Sequence, residues 1–384
     1  MNIAIPKEIE TSEKRVAAIP ETVEKMVKAG LSVFVEAGAG ESTHYSDSEY
    51  EKAGATLIKD SASLYLNADI IIKVQRPMMS GGVHEVEMMK PNAILISLLS
   101  PLTYPDLIAK LAARGVTSFA VDLIPRTTRA QRMDILSSMS SIAGYKAVLL
   151  AAAAYSRLIP MMTTSAGTYP PAKVLVLGAG VAGLQAIATA KRMGASVSAF
   201  DTRPAVKEQV QSLGATFVEL DLSGESAEDS GGYAKELSDS AHKKEQALIA
   251  QHAKQSDIII TTALIPGKEA PLLIPREVVA EMKKGSVIVD MAVEQGGNCA
   301  FSRMGETVVE HGVTIIGATN LPATVPIVAS QMYSKNLWNF LSLLYQENKL
   351  NINKADEIIQ ATLVTEGKEI VNQAAKNVVM KGGK

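Results

Sequence analysis

Two stretches of this 384-residue chain carry residue types whose spacing could do chemistry. The first runs from Lys173 to Gly183, where Gly178, Gly180 and Gly183 follow the G-x-G-x-x-G spacing. Gly178 permits a tight strand-to-helix turn, Gly180 lets the backbone approach a pyrophosphate, and Gly183 lets the helix pack close to the sheet. Val181 and Ala182 open that helix, and its N-terminus offers free N–H groups and a positive dipole end to phosphate oxygens. Asp201 ends the next apolar run, 18 residues beyond Gly183. A carboxylate there accepts hydrogen bonds from an adenosine ribose and repels a 2′-phosphate, which favours NAD(H) over NADP(H). Thr202 and Arg203 follow it. An arginine near this position can bind a 2′-phosphate, but pairing with Asp201 or with the pyrophosphate is the favoured reading, because Asp201 holds the more direct position.

The second stretch is polar and crowded: Arg126, Thr127, Thr128, Arg129, Gln131, Arg132, Met133, Asp134 and Ser137. Gln131, Asp134 and Ser137 are spaced by three, so on a helix they would share a face. The cluster lies at the junction of two α/β patterns, and clefts between domains are frequent ligand sites. A solvated helix start capped by Thr127 or Thr128 fits the same residues equally well.

The elements that must position these groups alternate. Strand-like runs at Ile3–Ile5, Ser32–Glu36, Asp69–Val74, Ala93–Leu98 and Val116–Val121 are separated by helical spacing at Glu21–Ala29, after Asp60 and at Tyr104–Ala113. That alternation predicts βαβ units and a parallel sheet. Residues from about Arg129 to Arg157 read as one long helix, and Thr163–Pro171 as a connection. A second α/β pattern follows, with strands at Lys173–Leu177, Ser196–Phe200, Thr216–Leu220, Asp257–Thr261, Ser286–Asp290 and Val313–Ile316. Its helices are Val181–Arg192, Pro204–Leu213 and Ala234–Lys254. Ser223–Gly232 is polar, acidic and aperiodic, as lids often are. Pro326–Leu344 is a further helix, Thr362–Thr365 and Lys368–Val371 a hairpin about Glu366-Gly367, and the basic tail after Asn372 is expected to fray. The fold class that follows is α/β, with two Rossmann-like, doubly wound parallel-sheet domains separated by a cleft. One domain is 1–137 completed by 326–384, and the other, the nucleotide domain, is 138–325.

Composition narrows the function classes. Lys plus Arg is 38 against 40 Asp plus Glu, and aromatics are 4%, so neither a basic excess nor a stacking platform points to nucleic acid. One cysteine, Cys299, permits no internal disulfide, and its role stays open with those of Arg15 and Glu294. The five histidines show no metal-ligand spacing, and no metal is expected. The longest apolar stretch read from the sequence, Ala147–Tyr155, falls short of the roughly 18 residues a membrane span needs. A soluble chain is therefore expected.

Taken together, several segments resemble one family. They are Gly178–Gly183 continuing as Leu-Gln-Ala-Ile-Ala-Thr-Ala-Lys-Arg, the Pro-Arg-x-x-Arg-Ala-Gln-x-x-Asp-Ile-Leu-Ser-Ser segment from Pro125, and Gly231-Gly232-Tyr233-Ala234-Lys235. Thr261-Thr262-Ala263-Leu264-Ile265-Pro266-Gly267-Lys268 and Asp290 through Cys299 complete the pattern. The family is the NAD(H)-binding alpha subunit, or domain I, of proton-translocating nicotinamide nucleotide transhydrogenase. The resemblance implies direct hydride transfer between NAD(H) on this chain and NADP(H) on a partner component, coupled to proton movement through a membrane-spanning component. It also implies a homodimer, and a cytoplasmic chain peripheral to the inner or plasma membrane. On that match Gln131 reaches toward the nicotinamide, and Arg126, Asp134 and Ser137 orient its carboxamide and ribose. Gly232 and Tyr233 lie on a mobile loop over the nucleotide, and Thr262, Ala263 and Leu264 belong to the binding set. Such transfer needs two rings held near contact with water excluded, so these are positioning groups.

A more distant resemblance is to alanine dehydrogenase, carried by Met1–Pro6, Arg15-Val16-Ala17, Glu36–Gly40 and Lys73–Pro77. That enzyme places a lysine where Gln75 stands here and a histidine near Leu99, which this chain lacks. A non-catalytic NAD-binding module is the other alternative.

Overall fold

The computed structural model describes residues 1–219, 239–265 and 268–382, with the side chains of 239–242 and 381–382 left aside. The chain divides into two compact units, Met1–Met139 with the segment from Pro322 onward, and Ser140–Leu321. Each unit is an α/β sheet, as the alternating pattern predicts.

The first unit holds an eight-stranded sheet. Its order is Glu369–Ile370, Leu363–Glu366, Thr117–Ala120, Ile94–Ser97, Ile70–Ile72, Asn2–Ile5, Ser32–Glu36, Thr56–Ile58. The six strands from Thr117–Ala120 to Thr56–Ile58 pair in parallel. The C-terminal hairpin closes the edge antiparallel. Ile70, Ile71 and Ile72 are all fully buried, as parallel strands covered on both faces require. The helix Pro326–Leu344 belongs to this unit: Ser330 Oγ accepts from Val16 N at 3.0 Å, and Phe340 meets Phe119 edge-on at 5.7 Å.

The second unit holds seven strands. Their order is Thr216–Val218, Ser196–Phe200, Lys173–Leu177, Ile258–Thr261, Val287–Asp290, Val313–Gly317, Thr307–Glu310. All pair in parallel except the last, an antiparallel edge. Strand order reverses between Lys173–Leu177 and Ile258–Thr261, where open α/β sheets bind ligands at their carboxyl ends. Val174 and Val176 pack toward Ala147, Val148, Ala186 and Ile187, while Leu175 and Leu177 pack toward Ile249, Ile274 and Val279. Both faces are thus covered by helices.

Several expectations are corrected. Thr163–Pro171 is not a plain connection: Met162–Thr164 and Gly167–Tyr169 pair as an exposed antiparallel hairpin. The long helix starts at Ile135, not near Arg129, and ends at Ala154. At 20 residues it is long and apolar enough by composition to cross a membrane, but 44% of its apolar window is buried within the fold. The tail does not fray at once: Gln373–Gly382 is a helix, and Ala375 is fully buried in the first unit's core.

Candidate functional site

The glycine turn sits at the switch point of the second unit. Gly178 has φ +97°, which a side chain rarely adopts, and a Cβ there would meet Thr262 Oγ1 at 2.6 Å. Gly183 is tighter still, since a Cβ would lie 1.8 Å from Gly178 O. Gly180 differs from both. Its backbone is extended, and a Cβ would meet nothing within 4 Å. It leads directly into the helix Val181–Arg192 with no side-chain cap, so the first N–H groups of that helix have no intrahelical acceptor. Open space beside an uncapped helix N-terminus fits a pyrophosphate. Gly144 brings the helix Ile135–Ala154 against this turn, because a Cβ would clash with Ala182 O.

Asp201 lies beyond the neighbouring strand, buried, and accepts from four donors: Ala179 N at 2.7 Å, Arg203 N and Nε at 2.9 Å, and Arg203 Nη2 at 2.8 Å. Of the readings weighed for Arg203, the structure places its guanidinium on Asp201. Thr202 is half-buried beside them.

The loop after Ile258–Thr261 forms the other wall. Thr262 Oγ1 donates to Gly178 O at 3.1 Å. Ala263 is held at both backbone groups by Asn298, whose Oδ1 accepts from Ala263 N at 3.1 Å and whose Nδ2 donates to Ala263 O at 2.9 Å. Leu264 is exposed. Asn298 is itself set by Asp290, whose Oδ2 accepts from the N–H groups of Asn298 and Cys299 and from Ser302 Oγ. Asp290 is therefore a turn organiser, the capping alternative of the two the sequence left open. Asn298 is the residue sequence reasoning missed, and its signal was the Gly296-Gly297 pair before it. Glu294 accepts from Asn320 N at 3.2 Å. Gly232 and Tyr233, with the whole 223–233 stretch, lie outside the described residues.

The polar cluster belongs to the first unit up to Met139. It is not one helical face. Gln131–Met133 is a single 3₁₀ turn, and Asp134 caps the long helix instead of Thr127 or Thr128. Its carboxylate accepts from Ser137 N at 2.8 Å and Ser137 Oγ at 2.5 Å. Arg129 forks onto Asp356 at 2.7 and 2.5 Å, and Thr127 Oγ1 reaches Glu357 at 3.5 Å, so both tie this loop to the helix Glu357–Thr362. Arg132 O accepts from Asn336 and Asn339 Nδ2 at 2.7 and 2.9 Å. These bonds fix the loop backbone. Arg126, Thr128, Gln131 and Arg132 are exposed, and Met133 is half-buried. Among the described residues nothing hydrogen-bonds the Gln131 side-chain amide.

Cys299 is buried, and desolvation pushes its thiol up to about 11. Among the described residues, no group of three or more His, Cys, Asp or Glu could hold a metal ion.

Comparison with known proteins adds the family. "Alanine dehydrogenase/PNT, N-terminal domain" matches residues 4–143, and "Alanine dehydrogenase/PNT, C-terminal domain" matches 147–373. The chain is 49% identical over 378 residues to a Rhodospirillum rubrum protein, the first of the separate chains that make up its NAD(P) transhydrogenase subunit alpha, covering 97% of this chain and 98% of that one. A crystal structure of transhydrogenase from Sinorhizobium meliloti is similar with a TM-score of 0.87 and 44% identity, over 97% of this chain and 100% of that one. A structure of L-alanine dehydrogenase follows with a TM-score of 0.81 and 26% identity, over 99% of each chain.

Proposed function

Because this chain belongs to the alanine dehydrogenase/PNT family and is similar along nearly its whole length to transhydrogenase alpha subunits, we propose that it is the NAD(H)-binding subunit of a proton-translocating transhydrogenase. NADP(H) is carried by a partner component, proton movement by a membrane-spanning one, and the chain works as a homodimer held peripherally at the membrane. The observation that carries the nucleotide assignment is the open approach at Gly180 beside the uncapped helix Val181–Arg192.

Bound NAD(H) supplies or accepts a hydride at its nicotinamide ring. The chain's residues do the holding. Gly178, Gly180, Val181, Ala182 and Gly183 receive the pyrophosphate, and Asp201, with Thr202 and Arg203 beside it, receives the adenosine ribose. Thr262, Ala263 and Leu264 line the nucleotide. Arg126, Gln131, Asp134 and Ser137 position the nicotinamide end, with Thr127, Thr128, Arg129, Arg132 and Met133 shaping the loop that carries them. Gly232 and Tyr233 close over the nucleotide and exclude water. No general acid or base is needed, since the transfer moves a hydride directly from ring to ring.

The alanine dehydrogenase alternative needs a cation to anchor a substrate carboxylate. Arg15 is retained, but its guanidinium is already forked onto Glu13 at 2.8 and 2.6 Å, and Gln75 Nε2 donates to the same carboxylate at 2.8 Å. This arrangement favours the transhydrogenase reading.

The test is NADH-dependent reduction of an NADP⁺ analogue, with and without the NADP(H)-binding component of the same source. A rate that requires both components supports the proposal. No rate with a folded, nucleotide-loaded partner overturns it, and L-alanine oxidation then becomes the assay.

A further inference from the structure

The acceptor positions of Asp201 are taken by groups of the chain itself. An ionised carboxylate offers about four lone-pair positions. Ala179 N, Arg203 N, Arg203 Nε and Arg203 Nη2 fill that number. Two of the four are backbone groups that hold the glycine turn and the strand exit in place. The other two are one planar guanidinium fork, with side chains only 13% and 5% exposed on Arg203 and Asp201. A ribose diol offers two donors of its own. It cannot add to a filled carboxylate; it must replace the fork.

We propose that Arg203 is an internal occupant of the ribose subsite, and that nucleotide binding exchanges its guanidinium fork on Asp201 for the ribose hydroxyls. This inference rests on the nucleotide reading of the second unit. Part of the binding free energy is then consumed in breaking a nearly buried, charge-assisted pair, so Arg203 sets the affinity of a site it blocks when empty. The pair also keeps the empty protein intact, because a buried carboxylate stripped of its partner is strongly destabilising.

The two roles predict opposite signs in one variant. In Arg203→Ala the empty protein is left with an underpaired Asp201 that ribose can satisfy. Its melting temperature should fall, its NADH dissociation constant should drop about tenfold, the scale of one charge-assisted hydrogen bond, and NADH should raise its melting temperature more than it raises the parent's. Arg203→Lys keeps the charge without the planar fork, and should show a smaller gain in the same direction.

The experiment is NADH fluorescence titration of the full-length parent and both variants at one ionic strength, with thermal unfolding of each at zero and saturating NADH. Tighter binding with a lower empty-state melting temperature supports the exchange. Weaker or unchanged NADH binding in both variants overturns it, since Arg203 then assists the bound state or serves only the fold. If Arg203→Ala does not fold, the Lys variant alone decides by the same sign. Failure of the parent to bind NADH overturns the nucleotide reading instead, which separates the two.

Discussion

Gly180 and Gly183 lie three residues apart in one motif, and the structure gives them opposite jobs, so alanine at each should fail in a different assay. At Gly183 an added Cβ would sit 1.8 Å from Gly178 O, a backbone atom that cannot swing aside. Overpacking of this kind costs about 1–3 kcal/mol. Alanine recovers up to about 1 kcal/mol of helix propensity, but the backbone clash places the cost at the upper end. A net loss of about 2 kcal/mol lowers the melting temperature by about 4–8 °C in a unit of this size. At Gly180 the backbone is at φ −72°, ψ −168°, and the added Cβ meets nothing within 4 Å. Stability should stay level or rise by about 0.4–1 kcal/mol through the unfolded chain. The methyl group would instead occupy the space a pyrophosphate needs. Losing one or two charge-assisted hydrogen bonds there weakens NADH binding by about 10- to 100-fold. Calorimetry and NADH fluorescence titration of the two variants read both axes. Wild-type NADH affinity in a folded Gly180→Ala protein would refute the phosphate assignment. A wild-type melting temperature in Gly183→Ala would refute the packing argument.

Further expectations come from single groups. Gln131→Ala should leave the melting temperature unchanged and slow hydride transfer more than it weakens NADH binding, because the exposed amide has no partner among the described residues; equal losses in single-turnover rate and affinity would make it a plain binding residue. Cys299 is 3% exposed with its thiol pushed up to about 11, so a thiol reagent near neutral pH should label it only after denaturation. Rapid labelling of native protein would contradict that burial. Burial raises the Glu8 carboxyl above its ordinary 4.5 despite Lys73 beside it. The folded protein then holds this proton more tightly than the unfolded chain does, so the contribution is full below that ordinary value and is lost as pH rises through the raised one. Urea unfolding of the parent against Glu8→Gln should show the parent losing ground as pH climbs. A difference independent of pH would refute the assignment.

The sequence was legible where burial is complete. Ser32–Glu36, Lys173–Leu177, Ser196–Phe200, Val181–Arg192 and Pro326–Leu344 read from the residues with the same limits the structure shows. Apolar runs bounded by Gly or Pro leave little choice of register there. Thr307–Glu310 did not read as a strand, because an antiparallel edge is half-exposed and shows no continuous apolar run. The hairpin Met162–Tyr169 has every strand residue exposed and rests on pairing alone. The 3₁₀ turn at Gln131 was hidden by the threefold spacing of Gln131, Asp134 and Ser137, which suits a helix as well as it suits a cap. In the nucleotide unit the glycines announce the turn, but not the clamp that builds its opposite wall. That clamp is Asp290 holding Asn298, and Asn298 holding Ala263, across separations no local pattern reveals.

The two units share a reversal of strand order, yet only one presents a dinucleotide site there, and the residues at the two switch points explain why. In the second unit, strand Lys173–Leu177 runs straight into glycine and an uncapped helix. In the first, strand Asn2–Ile5 is followed by Pro6, Lys7 and Glu8, and the next helix starts only at Pro20. Its switch point, between Asn2–Ile5 and Ile70–Ile72, is filled by the protein's own charges. Lys73 Nζ lies 2.7 Å from Glu85 Oε1 and 3.4 Å from Glu8 Oε2, with all three side chains at most 3% exposed. Glu8 also accepts from Val74 N at 2.6 Å, Tyr65 donates to Glu85 at 2.5 Å, and Glu13 takes the Arg15 fork. Three carboxylates against two cations leave this crevice hostile to a pyrophosphate. The same backbone topology thus yields a phosphate cradle when glycine and free N–H groups end the first strand, and a sealed ionic core when acids do. Gly38 and Gly40 do not alter this, since they follow the second strand, Ser32–Glu36, and not the first. Fold similarity between the halves therefore argues for a shared architecture, and the residues at each strand end decide which half can take a nucleotide.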